Sequence, residues 1–129
     1  ENCRVAVSLS VATHHASLPI AWRLYLPESW AQDGKRRKAA GIPKEIRFQT
    51  KPEIALAQLQ QAAEQEVPAA PVLADSAYGN DTEFREGITE LALPYVVGIH
   101  ETTTVWRPGE VHEENRLQFC REYSTGAAD

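Results

Sequence analysis

A single carboxylate, Asp75, lies where a short apolar run gives way to a turn in the sequence. The run is Val72, Leu73 and Ala74, and a continuous apolar stretch is typical of a strand buried on both faces of an α/β sheet. In open α/β sheets the carboxyl ends of the strands line the crevice where ligands bind, which makes Asp75 a candidate catalytic and metal-binding residue. Capping of the next helix, or opening of the turn, would explain the same aspartate equally well.

Other residues with chemical potential have less specific patterns. His14 and His15 are adjacent at an expected hairpin tip, where their side chains point to opposite sides, so a polar turn is favoured over a metal site. The turn at residues 76–80 lacks a glycine-rich loop, although a small phosphate-binding module remains an alternative. The two cysteines, Cys3 and Cys120, lie near opposite ends of the sequence and lack the spacing of metal ligands. So few cysteines, so far apart, are typical of a protein in a reduced, cytoplasmic setting.

The charge balance argues against a self-sufficient nucleic-acid binder. The chain has 13 lysines and arginines against 18 aspartates and glutamates, a formal net charge of -5. Affinity for nucleic acid comes largely from cationic side chains on phosphates. The basic cluster at residues 35–38 is explained either as a solvated loop or first helical turn, or as a phosphate-contacting patch.

The size of the chain, 129 residues with 43% hydrophobic residues, predicts one globular domain at most. No apolar run is long enough to span a membrane, so no membrane association is expected. The sequence contains no methionine and starts at Glu1, which suggests a processed product or a piece of a longer protein.

The first half of the chain predicts a hairpin followed by irregular structure. Apolar residues alternate with small or polar ones over residues 5–11 and again over residues 20–26, which predicts two antiparallel strands. The pattern fades over residues 28–43, where we expect a loop with one helical turn. Ile46 and Phe48 fit a short strand.

The second half predicts alternating helices and strands. Thr50, Pro52 and Glu53 form a helix start with a capping box, and the helix should stop near residues 67–68. The strand that ends at Asp75 follows.

A second helix is expected next, capped by Asn80 or Asp81, with Phe84, Ile88 and Leu91 on one stripe. Residues 95–99 form another strand of the buried type, and this βαβ order predicts a mainly parallel layer. Joined to the hairpin, it gives a mixed sheet with flanking helices. Residues 102–106 fit an extended segment, and residues 110–129 a polar, poorly ordered tail.

Five stretches, taken together in this order, carry a resemblance to a known family. The chain resembles the central part of a bacterial insertion-sequence transposase of the DDE superfamily, whose catalytic core is RNase H-like. The resemblance covers residues 2 to about 108, and we assign residues 1–109 to a partial catalytic domain. Its distinctive stretches are residues 2–10, 18–27, 48–53, 73–79 and 93–98.

The resemblance implies an α/β fold with an RNase H-like mixed sheet and a catalytic centre of three carboxylates. Carried over by position, Asp75 matches the second of them. The three would hold two divalent ions, Mg²⁺ or Mn²⁺, that activate a water or 3′-hydroxyl and stabilise the leaving oxygen at a DNA phosphodiester. Such an enzyme nicks DNA at the ends of the element and joins the 3′-hydroxyl to target DNA. Tyr78, Asn80 and Asp81 lie beside Asp75, where supporting or DNA-backbone roles are open to them.

The chain departs from the family pattern at both ends. The first, central strand and its aspartate are not matched, so the expected sheet is incomplete. Glu113, Glu114 and Glu122 are acidic and downstream, but none sits in a pattern that marks the third carboxylate. We therefore expect a fragment that is inactive alone, binds no metal stably, and is marginally folded with exposed sheet edges. A non-catalytic remnant that binds a partner, such as a full-length transposase, or itself through such an edge is the alternative.

Overall fold

The computed structural model describes residues 5–104 of the chain, and these residues form two small sheets and five helices. In chain order the elements are β1 (Ala6–Ala12), β2 (Ser17–Leu24), α1 (Glu28–Ala31), α2 (Gly34–Ala39), α3 (Lys51–Glu64), β3 (Val72–Ala74), α4 (Ser76–Gly79), α5 (Thr82–Glu90) and β4 (Tyr95–Val97). None of these helices has the length and apolar character that crossing a bilayer requires.

Strands β1 and β2 form the predicted antiparallel hairpin, with Val7 opposite Arg23. The Thr13 amide donates to the Ala16 carbonyl at 2.8 Å, and the Thr13 hydroxyl accepts from the Ala16 amide at 3.2 Å. The His15 amide also donates to the Thr13 hydroxyl, at 3.2 Å, so the bonds that close the tip use the backbone of His15 and not the histidine side chains. The prediction of a polar turn at this point is confirmed.

Helix α3 begins with the predicted capping box. The Thr50 hydroxyl accepts from the Glu53 amide at 3.3 Å, and the Glu53 carboxylate accepts from the Thr50 amide at 2.6 Å. Pro52 lies in the first turn, where its missing N–H costs nothing. The helix ends at Glu64, slightly before the predicted stop, because the backbone at Glu66 turns to a positive φ of 58°.

Strands β3 and β4 pair in parallel with Val72 opposite Tyr95, as the βαβ order predicts. They do not join the hairpin, however. Within residues 5–104 the strands form two separate two-stranded sheets, one antiparallel and one parallel, rather than the one continuous mixed sheet predicted from joining them. A separation of this kind agrees with the expectation that the sheet is incomplete. No described strand lies between β1 and β3 to bridge them.

The core lies between one face of the β3–β4 sheet and helices α3 and α5. Its centre is Leu59, Phe84 and Ile88, and the last two carry the predicted stripe of α5. The opposite face is open, because the side chains of Leu73 and Val96 are 75% and 55% exposed. The expectation that these strands are buried on both faces is therefore wrong within the described residues, since no described element covers that second face.

The predicted loop between β2 and α3 contains two short helices rather than one turn. Asp33 caps α2 by accepting from the amides of Lys35 and Arg36, each at 3.0 Å. The prediction of a strand at Ile46 and Phe48 is wrong. The Ile46 carbonyl accepts from a side chain instead of a neighbouring strand, and the Phe48 ring packs edge-on against Tyr25.

Several predictions fall on residues outside 5–104. These are the two cysteines, the three downstream glutamates, the polar tail and the last two residues of the predicted extended segment. The described part of that segment, residues 102–104, is not a strand.

Candidate functional site

Asp75 directly follows β3 and lies at the carboxyl end of the strand, as predicted. One carboxylate oxygen, Oδ1, accepts from the Ala77 amide at 2.9 Å and so caps α4. The residue is exposed, and no group within residues 5–104 donates to the other oxygen, Oδ2. The capping and ligand-binding interpretations are thus compatible, because each uses a different oxygen of the same carboxylate.

The turn after Asp75 packs tightly against the end of β4. A methyl group on Gly79 would lie 2.8 Å from the Val97 Cβ atom and closer still to the Gly98 carbonyl oxygen. A methyl group on Gly98 would lie 2.9 Å from the Ser76 amide nitrogen. Two glycines therefore allow the backbones of α4 and β4 to touch, and this contact fixes the direction in which Asp75 leaves the strand.

Asn80 connects this turn to the chain beyond β4. Its Oδ1 atom accepts from the His100 amide at 3.2 Å and from the Thr103 hydroxyl at 2.9 Å, and its Nδ2 atom donates to the Ser76 carbonyl at 2.8 Å. The cap of α5 is Asp81, which accepts from the Phe84 amide at 2.8 Å. Sequence reasoning left the cap open between the two residues and missed the bridging role of Asn80. Only its partners, far along the chain, distinguish it.

Tyr78 packs beside Asp75 and against the core, with its ring 5.7 Å from the ring of Phe84. Burial of the phenol raises the pKa of Tyr78 above its ordinary value of 10.0, and the negative charge of Asp75 raises it further. The phenol is therefore a neutral hydrogen-bonding group at neutral pH.

This pair gives a first prediction. In Asp75→Asn the pKa of Tyr78 should fall but stay above 10.0, because burial, the larger cause, remains. Ultraviolet titration of the phenolate measures it, with the titration of Tyr78→Phe subtracted to remove the other tyrosines. Asp81→Asn removes the charge of another capping aspartate and should leave the pKa of Tyr78 unchanged. An unchanged curve in Asp75→Asn would contradict the electrostatic contact.

An open groove of about 250 Å³ separates β1 from β3, and Asp75 lies on its rim. Residues 7–9 line one side and residues 72–74 the other, while Gln58 and Leu59 of α3 lie beneath. Within the described residues Asp75 is the only acidic side chain that lines the groove. The site is therefore a cleft between two strands with one carboxylate at its end.

Both strands turn unpaired backbone groups towards this groove. The Val5 carbonyl accepts from the Tyr25 amide at 2.8 Å, and Val7 lies opposite Arg23. The backbone N–H and C=O groups of Val5 and Val7 therefore face β2, and those of Ala6 and Ser8 face away from it. On the other side, the Val72 amide donates to the carbonyl of Pro94, just before β4, at 2.9 Å. Because alternate residues of a strand direct their backbone groups to opposite sides, the N–H and C=O groups of Leu73 face the groove. The groove is thus bordered by two free strand edges.

Gln58 is a buried polar residue beneath the groove, with 4% of its surface exposed. Its Nε2 atom donates to the Val7 carbonyl at 3.1 Å, but its Oε1 atom has no partner within residues 5–104. A buried acceptor without a donor is costly, by about 1–3 kcal/mol, so this atom marks a place suited to a further polar group.

The described residues supply one candidate metal ligand, Asp75, rather than a complete set. Within residues 5–104 no three His, Cys, Asp or Glu side chains are grouped so that they could hold an ion. Asp75 alone does not provide the oxygens that two Mg²⁺ ions need. The exposed histidines at the hairpin tip belong to no such group either.

Comparison with known proteins returns one family. The sequence model of the family described as DDE superfamily endonuclease matches residues 1–118, which is most of the chain. No curated protein and no solved structure matches the chain significantly.

Proposed function

The chain belongs to the DDE superfamily endonucleases, and from this premise we propose that it is a fragment of an insertion-sequence transposase that nicks and joins DNA strands. The family implies a nuclease or transposase activity and a DNA substrate. One observation carries the proposal for this chain. Asp75 lies at the carboxyl end of β3, on the rim of a cleft, with one carboxylate oxygen that no described residue engages.

Asp75 acts as the second carboxylate of the catalytic set and as a metal ligand through Oδ2. Divalent metal ions, Mg²⁺ or Mn²⁺, would supply activation of the attacking hydroxyl and stabilisation of the leaving oxygen. The chain's own contribution is positioning. The cap to Ala77 holds Oδ1, the contact of Gly79 with Gly98 fixes the backbone, and Asn80 ties the turn to His100.

The groove between β1 and β3 accepts the central strand of the RNase H-like sheet. A strand placed there would pair with the free edges of Ser8 and Leu73 and would join the two sheets into one. The unsatisfied Oε1 atom of Gln58 lies beneath this path and is available to a donor on such a strand. In the resemblance, this strand carries the first carboxylate.

On this proposal we expect no cleavage of DNA by the chain alone. With one carboxylate at the described cleft, two metal ions cannot be held in the geometry that phosphodiester transfer needs. A supercoiled plasmid incubated with the purified chain and Mg²⁺ or Mn²⁺ should remain intact. Metal-dependent nicking would contradict the proposed inactivity of the fragment, although not its family.

The proposed role of Asp75 gives a further prediction. Paramagnetic Mn²⁺ at millimolar concentration should broaden the amide NMR signals of Ser76 and Ala77 in the wild-type chain, because a single carboxylate binds the ion weakly. Asp75→Asn should abolish this broadening. Asp81→Asn is the matched control, since Asp81 is also a capping aspartate with one bonded oxygen, and should keep it. Broadening that persists in Asp75→Asn would refute the assignment of Asp75 as a metal ligand.

The two free edges also favour the second candidate function, a non-catalytic remnant that pairs with a full-length transposase or with itself. Co-purification of the chain with a tagged full-length transposase tests it. Ser8→Pro removes a backbone donor on the β1 edge of the groove and should weaken the complex if that edge forms it. Lack of any complex would leave the remnant without the partner that this function requires.

A further inference from the structure

The cations of this acidic chain are concentrated in one segment. Residues 23–51 contain eight of the 13 lysines and arginines and three of the 18 aspartates and glutamates. The other 100 residues contain five cations and 15 carboxylates. The net charge of -5 is therefore the sum of a basic segment, from the end of β2 to the start of α3, and a strongly acidic remainder.

Two of the cations in α2 have contacts within the segment. Arg37 is half-buried, and its guanidinium donates to the carbonyls of Ala31, Pro43 and Ile46 at 3.3, 2.7 and 2.7 Å. These bonds close the loop after α2 back onto α1. Arg36 lies 3.4 Å from the Asp33 carboxylate, on the exposed surface.

Four further cations, Lys35, Lys38, Lys44 and Arg47, have no such contacts with the described residues. All four are exposed, and no side chain or carbonyl within residues 5–104 is hydrogen-bonded or ion-paired to their charged groups. Lys35 and Lys38 are three residues apart on α2 and so lie on neighbouring positions of its surface. Like charges at this spacing destabilise a helix slightly, so their grouping is not explained by stability.

The segment is anchored at its far end to the hairpin. Arg23 in β2 donates to the Gln49 side chain at 2.9 Å, and the Lys51 ammonium lies 5.5 Å from the centre of the Tyr25 ring. The Phe48 ring packs edge-on against Tyr25, with 6.4 Å between ring centres. Together with the Arg37 bonds, these contacts tie the segment that carries the four cations to α1 at one end and to the hairpin at the other.

We propose that residues 28–47 form a docking surface for the phosphate backbone of duplex DNA, with Lys35, Lys38, Lys44 and Arg47 as the phosphate contacts. The inference rests on the proposed function, which supplies DNA as the substrate. Lysine binds phosphate as a point charge without reading bases, so the surface is sequence-independent. The acidic remainder of the chain repels the same backbone, and this contrast orients DNA onto the segment.

The experiment measures binding of a fluorescein-labelled duplex by anisotropy over a series of salt concentrations, with EDTA and no divalent ion. The test variant carries Lys35→Gln, Lys38→Gln, Lys44→Gln and Arg47→Gln. Because each phosphate contact contributes about 0.9 to the slope of log K against log salt, the slope should fall by roughly 3 to 4 and the affinity at least tenfold. Circular dichroism confirms that the variant is folded.

Two controls sharpen the result. A variant with Arg4→Gln, Arg107→Gln, Arg116→Gln and Arg121→Gln removes the same net charge outside the segment and should keep most of the slope. Lys35→Arg with Lys38→Arg preserves the charge and should bind like the wild type.

Three outcomes would contradict the proposed docking surface. They are an absence of DNA binding by the wild type, the same loss of affinity for DNA in both quadruple variants, and competition for the labelled duplex by polyglutamate as strong as that by unlabelled DNA. The last would assign the segment to an acidic protein. If Mn²⁺ does not broaden the signals beside Asp75 but DNA binding still depends on the four cations, the proposed function is refuted and the docking surface is not. If Mn²⁺ broadens those signals but DNA binding does not depend on the four cations, the docking surface is refuted and the proposed function is not.

Discussion

Gly79→Ala should lower the free energy of unfolding by about 3 kcal/mol or more, one of the two largest effects expected in this chain. The added methyl group would meet the Gly98 carbonyl oxygen and the Val97 Cβ atom, both too close for ordinary contact. A flexible side chain could move aside, but these are backbone and Cβ atoms of β4 and the residue that follows it. The variant must separate α4 from the strand. Urea unfolding followed by circular dichroism measures the loss.

The matched control is Gly34→Ala. Gly34 begins α2, a methyl group added to it would meet nothing within 4 Å, and its φ is not positive. Alanine at this position should therefore be neutral or stabilise the chain by up to about 1 kcal/mol. Equal unfolding midpoints for Gly79→Ala and the wild type would show that the close approach of α4 and β4 is not formed in solution.

The substitution also bears on the site. Gly79 donates its amide to the Asp75 carbonyl at 2.8 Å, and its own carbonyl accepts from the Arg85 guanidinium. Displacing Gly79 therefore moves the turn that positions the Asp75 carboxylate. Where Gly79→Ala remains partly folded at low temperature, it should lose the Mn²⁺ broadening at Ser76 that the wild type shows.

Local features of the fold were predictable from the sequence because their physical causes are local. The capping box of Thr50 and Glu53 needs only four residues, and the stripe of Phe84 and Ile88 only the helical period. The place of Asp75 at the end of a strand follows from the apolar run before it. A catalytic role for Asp75 does not follow from that place, because the same carboxylate caps α4.

Features that depend on distant partners were not predictable. An apolar run indicates a strand, but it does not say whether another layer covers each face, and Leu73 proved 75% exposed. Whether β1 and β3 belong to one sheet depends on whether another strand pairs with both of them, and the local sequence of β1 and β3 carries no information about that. Likewise, Asn80 and Arg37 have ordinary local sequence, and their bonds to His100 and Ile46 exist only once the chain has folded.

Phe84→Ala should cost about 3–5 kcal/mol, because it removes a large side chain from the centre of the core and leaves a cavity. Phe84 is 2% exposed, packs with Leu59 and Ile88, and reaches the groove beside Tyr78. A small domain has a total stability of about 5–15 kcal/mol, so the substitution removes a large share of it, and near the lower end of that range the variant should be largely unfolded. Thermal unfolding and the dispersion of amide NMR signals measure this.

Leu73→Ala is the control that separates the two faces of the β3–β4 sheet. Both substitutions truncate an apolar residue, but Leu73 lies on the open face, so its loss should change the stability of the chain by less than about 1 kcal/mol. A cost for Leu73→Ala close to that for Phe84→Ala would mean that the open face is covered in solution. In that case residues outside 5–104 or a second copy of the chain would have to supply the cover, and the association state of the wild type would decide between them.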